Sequence, residues 1–188
     1  MIMKGSCSCG AVKFRCTSRH PYPYMRCYCS ICRKTQGGGG YAINLRADTA
    51  DLVIEGEEHI RIYRARVRDR KTGEWKTSGA ERRFCGTCSS GLWVYSDKYP
   101  EMIHPFASAV DTPLPVPPER FHILLNSKAD WAEPEATDRD VQFDTGPGES
   151  LADWHERHGL VYTQGLIYEL RLRHNPPACV KLVMEGKS

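Results

Sequence analysis

Cys27-Tyr28-Cys29-Ser30-Ile31-Cys32 packs three thiols into six residues, a spacing that suits one metal ion far better than a disulfide framework. Two more clusters flank it, Cys7-Ser8-Cys9-Gly10 before and Cys85-Gly86-Thr87-Cys88 after, so seven of the nine cysteines fall in short motifs. Tetrahedral thiolate coordination neutralises Zn²⁺ and ties distant segments together. Seven thiolates divide most simply as four plus three. Cys7, Cys9, Cys85 and Cys88 would meet across a sheet on a closed structural zinc, while Cys27, Cys29 and Cys32 would hold a second zinc with one position left for water or substrate. That open position makes the trio the candidate catalytic site. A fourth ligand would close it and make it structural too. His20, His59, His104, His122, His155, His158 and His174 are scattered, and each alone reads as a surface or core residue. Cys16 and Cys179 have no partner at metal spacing and read as ordinary small apolar residues.

Outward from the cysteines the pattern is mainly β. Ala11 to Cys16 and Gly40 to Ala47 alternate with the period of half-buried strands, as do Leu52 to Glu55 and Ile60 to Val67. Lys71-Thr72-Gly73-Glu74 offers a turn before the chain returns from Trp75 to Phe84, which predicts a hairpin. Leu92 to Tyr95, Met102 to Ala107 and Phe121 to Leu125 add three short strands, interrupted by the proline-rich Pro113 to Pro118. Ala132 to Gly148 is acidic and polar and reads as a surface loop. One helix is expected after the capping box of Ser150 and Asp153, ending at Gly159. Leu166 to Leu172 alternates once more and predicts an edge strand before a tail at Pro176-Pro177. A zinc-binding domain over 1–160 and an extension over 161–188 follow.

The 188 residues suffice for one real core, and 40% hydrophobic with 26% charged residues excludes a disordered chain. A net charge of +3, with acids and bases interspersed, argues against a nucleic-acid partner. No stretch resembles a signal peptide and no run of about 18 apolar residues occurs, so a cytoplasmic protein without a membrane partner is expected. Homo-oligomerisation stays open. After the trio come Arg33 and Lys34, cations that could hold the carboxylates of an acidic substrate, and the glycines Gly37 to Gly40.

The order of motifs, Gly5-Ser6-Cys7-Ser8-Cys9-Gly10, then Cys27 through Lys34, then Phe84-Cys85-Gly86-Thr87-Cys88, resembles the glutathione-dependent formaldehyde-activating enzyme (GFA) family. The likeness extends from Gly5 to about Leu160 and includes the helix Ser150 to His158, similar to that family's terminal Trp-His helix. The resemblance implies an Mss4-like, mainly β fold with one short C-terminal helix. It also implies a structural zinc on Cys7, Cys9, Cys85 and Cys88 and a labile zinc on Cys27, Cys29 and Cys32. Members are described as carbon–sulfur lyases that make or break S-hydroxymethylglutathione; the same domain in a centromere-associated protein shows that the fold does not fix the activity. One departure stands out: Ser89 follows Cys88 where the family usually has Gly. The expected function is therefore a zinc-dependent carbon–sulfur lyase acting on glutathione or related thiol adducts. The alternative is a noncatalytic zinc-binding interaction module; a thiol-redox or metal-buffering role is a third reading.

Overall fold

The computed structural model describes residues 1–160 apart from Gly37, Arg70 and Ala136. The expected strand Leu166 to Leu172, His174 and Cys179 lie outside the described residues. Residues 1–150 form one compact unit, and a second begins at Leu151.

The first unit is built on two sheets. Seven strands make the larger, in the order β1 (Ile2–Ser6), β2 (Lys13–Thr17), β5 (Ala47–Glu55), β9 (Met102–Pro105), β8 (Gly91–Ser96), β7 (Trp75–Cys85) and β6 (Ile60–Arg68), with every pair antiparallel. Four make the smaller: β11 (Asp140–Gln142), β10 (Arg120–Ile123), β3 (Tyr24–Cys27) and β4 (Ala42–Asn44). There β10 runs parallel to both of its neighbours.

Alternation explains the larger sheet. Along β2, Phe14 and Cys16 point inward while their neighbours are more exposed, as period-2 patterning requires. Phe14 meets Trp93 edge-on at 5.2 Å, and Met3, Leu45, Leu92 and Ile103 complete a core in which Cys16 is buried as an ordinary apolar residue. The expected hairpin is present: Ile60 pairs with Cys85 and Arg68 with Trp75. Its turn is closed by Asp69, whose Oδ1 accepts from the Lys71 and Thr72 amides at 2.9 and 3.2 Å.

The structure departs from the sequence pattern in four places. Gly40 to Ala47 is not one strand: β4 stops at Asn44 and β5 starts at Ala47, because the chain crosses between sheets, with the Leu45 amide bonding Pro105 O at 2.9 Å. Ala132 to Gly148 is not wholly a loop. Asp140–Gln142 pairs in parallel with β10, held by the ion pair of Arg120 and Asp140 at 2.7 Å. Tyr24–Cys27 is buried on both faces and so does not alternate. Finally, a second short helix, α1 (Ser30–Gln36), follows the cysteine trio directly.

In the second unit, α2 (Leu151–Arg157) is the expected helix. Gly159, at φ +65°, ends it, and Trp154 stacks on His158 with centroids 3.9 Å apart.

Candidate functional site

The larger sheet delivers four thiols to one place. Cys7 follows β1, Cys85 ends β7, and the sulfurs of Cys7, Cys9, Cys85 and Cys88 all lie within 4.8 Å of one another. Cys7 and Cys9 are 3.5 Å apart and Cys9 and Cys85 3.8 Å, close to the edge of about 3.8 Å that Zn–S bonds of about 2.3 Å give a tetrahedron. None of these cysteines is in a disulfide. The Val12 amide donates to Cys7 Sγ at 3.2 Å, and Ser90 Oγ lies 3.2 Å from Cys88 Sγ, the outer-shell support that a thiolate set requires. Those Ser90 contacts, first the hydroxyl and then the backbone amide, hold the Cys88 thiol down at about 5. The donor set fits a closed zinc site.

The trio is assembled differently. Cys27 ends β3, paired with Ala42 and Ile123, and the chain then turns into α1. Cys29 is the residue before the helix, and its sulfur accepts the Cys32 amide at 3.3 Å, the position at which an N-cap side chain satisfies a free helix N–H. The three sulfurs lie within 4.8 Å of one another. Among the described residues no further Cys, His, Asp or Glu joins them. Hydrogen bonds from the Cys27 and Cys32 thiols push Cys29 down to about 2, and the same sharing pushes Cys27 up. One thiolate is thus already favoured, and the set fits a metal with one open position.

Tyr28, between two of the candidate ligands, anchors this turn from below. Its hydroxyl lies 3.0 Å from His122 Nδ1, and Asp140 Oδ1 stands 3.3 Å from His122 Nε2. Arg120 and Thr137 complete the chain, binding Asp140 at 2.7 Å each. Burial holds His122 neutral below its usual range, against the pull of Asp140. Neither His122 nor Asp140 carries a motif. Their role depends on a parallel strand pairing that local patterning does not reveal.

One row of side chains on the large sheet includes a residue that packs on the trio. Tyr63, Arg82, Val94 and His104 are directly opposite one another across β6, β7, β8 and β9 and share a face. Val94 packs on the apolar cluster of Cys27, Cys32, Ala42 and Phe106. His104 Nδ1 donates to Leu45 O at 3.0 Å, and burial lowers its pKa, so the imidazole is neutral.

Two clefts open beside α1. The larger, of about 450 Å³, is polar, with Ser6, Ser90, Ser108 and Asp111 in its wall; the smaller, of about 240 Å³, is lined by Tyr63, Arg82, Phe84 and Phe106. Thr35, Gln36, Ser89 and Gly91 border both. The Gln36 amide packs directly on Gly91, where a Cβ would fall 1.7 Å from Nε2 and displace that side chain. Arg33 is half-buried and Lys34 exposed, and neither lines these clefts.

The profile of the family described as "Glutathione-dependent formaldehyde-activating enzyme" matches residues 2–127, which holds all seven clustered cysteines. The chain belongs to the GFA family. A Halomonas elongata protein bearing that family's name is 54% identical over 160 residues, covering 85% of this chain and 98% of its own length. A crystal structure of a Rhodobacter sphaeroides protein is 27% identical, covers 60% of this chain and 92% of its own, and superposes with a TM-score of 0.46. No helix among the described residues is long and apolar enough to cross a membrane.

Proposed function

We propose that this GFA chain is a zinc-dependent carbon–sulfur lyase that makes or breaks the bond between a thiol sulfur, glutathione's in the first place, and the carbon of a small aldehyde. The reading is carried by the contrast between the two clusters: four mutually close thiols in one, three in the other with no fourth Cys, His, Asp or Glu among the described residues. Zinc held by Cys27, Cys29 and Cys32 would supply a Lewis acid with room for one exchangeable sulfur or oxygen. Zinc on Cys7, Cys9, Cys85 and Cys88 would be structural.

The chain's own residues do the remainder. Cys29, held by the first turn of α1, keeps the trio compact. Val94 and Phe106 wall it with apolar surface, which limits water and strengthens every charge interaction nearby. In the forming direction the thiol loses its proton, sulfur bonds to the aldehyde carbon, and the carbonyl oxygen gains a proton. The reverse direction returns all three, so no oxidant or reductant is required. Arg33 and Lys34 remain our proposed contacts for substrate carboxylates at the mouth of the trio.

Magnetisation-transfer NMR on glutathione with formaldehyde tests the activity. Wild-type protein is expected to accelerate exchange between free formaldehyde and its thiol adduct, and Cys29→Ser to return it to the uncatalysed rate. Uncatalysed exchange in wild-type protein carrying two zinc ions would overturn the lyase reading and leave a noncatalytic zinc module.

A further inference from the structure

Arg82 is a buried cation that no carboxylate answers among the described residues. It lies in the middle of β7, only 9% exposed, and its Nε and Nη1 meet no hydrogen-bond partner among the described residues. Its neighbours on the strand are otherwise engaged: Glu81 takes Arg64 with one carboxylate oxygen and Arg83, at 2.7 Å, with the other. A guanidinium is costly to bury without an anion. The fork is also aimed at something, for Arg82 lines the 240 Å³ cleft with Tyr63, Phe84 and Phe106, and Phe106 packs against Cys27 and Cys32.

The cleft's chemistry narrows the anion. Arg82 and Arg83 are its charged lining residues, and no Asp or Glu lines it. Glu81 already faces Arg83, so Arg82 is the cleft's cation without a carboxylate, although its charge also reaches Cys32. A monoanion with two coplanar oxygens matches one planar fork. An ammonium beside that carboxylate would find no acid in this cleft. In glutathione, the γ-glutamyl carboxylate has such an ammonium and the glycyl carboxylate does not.

We propose that Arg82 binds the glycyl carboxylate of the thiol substrate, fixing that end of the tripeptide in the 240 Å³ cleft while its sulfur reaches the trio. This deepens the function proposed above and rests on it.

Calorimetric titration of zinc-loaded protein with glutathione, with glutathione esterified at glycine, and with γ-glutamylcysteine tests the assignment. Wild type is expected to bind glutathione about ten- to a hundred-fold more tightly than either of the others, the usual scale for a charged hydrogen bond. Arg82→Gln, with its zinc content checked, is expected to bind all three equally weakly. Arg82→Lys, which keeps the charge without the fork, should fall between. Equal affinity of wild type for glutathione and its glycyl ester would overturn the Arg82 assignment alone, and needs no variant to fold. Preference for glutathione retained in Arg82→Gln would do the same. Failure of wild type to bind any of the three thiols would overturn the thiol-substrate reading itself.

Discussion

Ser89 holds a φ of +61° directly after Cys88, in the left-handed region where a Cβ is strained and glycine is not. Ser89 thus stands where the resemblance leads one to expect glycine and where the backbone would favour it. Ser89→Gly is expected to stabilise the protein by about 1 kcal/mol in urea unfolding, with zinc content unchanged; destabilisation would show that the Ser89 side chain matters more than its backbone. Tyr28 makes a second test. Replacing it by Phe removes the hydroxyl from His122 and leaves a buried nitrogen unanswered, at a cost of about 1–3 kcal/mol. Because Tyr28 lies between Cys27 and Cys29, Tyr28→Phe is also expected to release one zinc faster to a chromophoric chelator while the other is held as in wild type. Equal release rates would deny Tyr28 its anchoring role. The cysteines themselves were legible because ligand spacing is local. Arg82 was not, since a buried, unpaired arginine is defined by strands on either side of it, and in the sequence it is one cation beside another.

Among elements, the strands with alternating residue types or a flanking turn signal were readable, and two that have neither were missed. β1 and β2 bury every second residue, and β2 was readable from that period; β6, β7 and β8 were readable from alternating residue types and a turn signal although their burial does not alternate. β3 is covered on both faces and β11 is three residues long, so neither carries a period, yet these strands bring Cys27, His122 and Asp140 together. That assembly gives a pH test. Burial sets the folded pKa of His122 below its unfolded value of about 6.5, so the native state resists the proton that the unfolded chain accepts. Its contribution is present above about pH 6.5 and is lost as pH falls from there through the folded pKa. Wild type should therefore lose stability more steeply than His122→Gln over this interval in urea midpoints, thiolate protonation being common to both. Parallel pH profiles would remove His122 from the account. The turn after β5 gives a mechanical test. Gly56 sits at φ +75°, and a Cβ there would fall 1.9 Å from Ala11 O. Both the strain and the backbone clash point the same way, and Gly56→Ala is expected to cost at least about 2 kcal/mol; a smaller loss would mean that β2 and β5 can separate cheaply.

At the scale of the molecule, sequence separation decides what each centre does. Cys7 and Cys9 lie at one end of the large sheet's sequence and Cys85 and Cys88 far along it, so a metal bound there would close a long loop and contribute directly to folding. Cys27, Cys29 and Cys32 are close in sequence and close almost no loop; on our proposal a metal bound there would add little to stability and exchange readily. The division into four and three was available from spacing alone, and the mainly β architecture from alternation. The clefts beside α1 were not, because they depend on how one helix end meets Gly91. The most direct test of two unlike centres is zinc per chain, by elemental analysis after anaerobic purification, for wild type beside Cys29→Ser and Cys85→Ser. Two zinc ions in wild type, one in a still-folded Cys29→Ser, and an unfolded Cys85→Ser are the predicted result. One zinc in both wild type and Cys29→Ser would contradict it, leaving a single structural metal and no open site for chemistry.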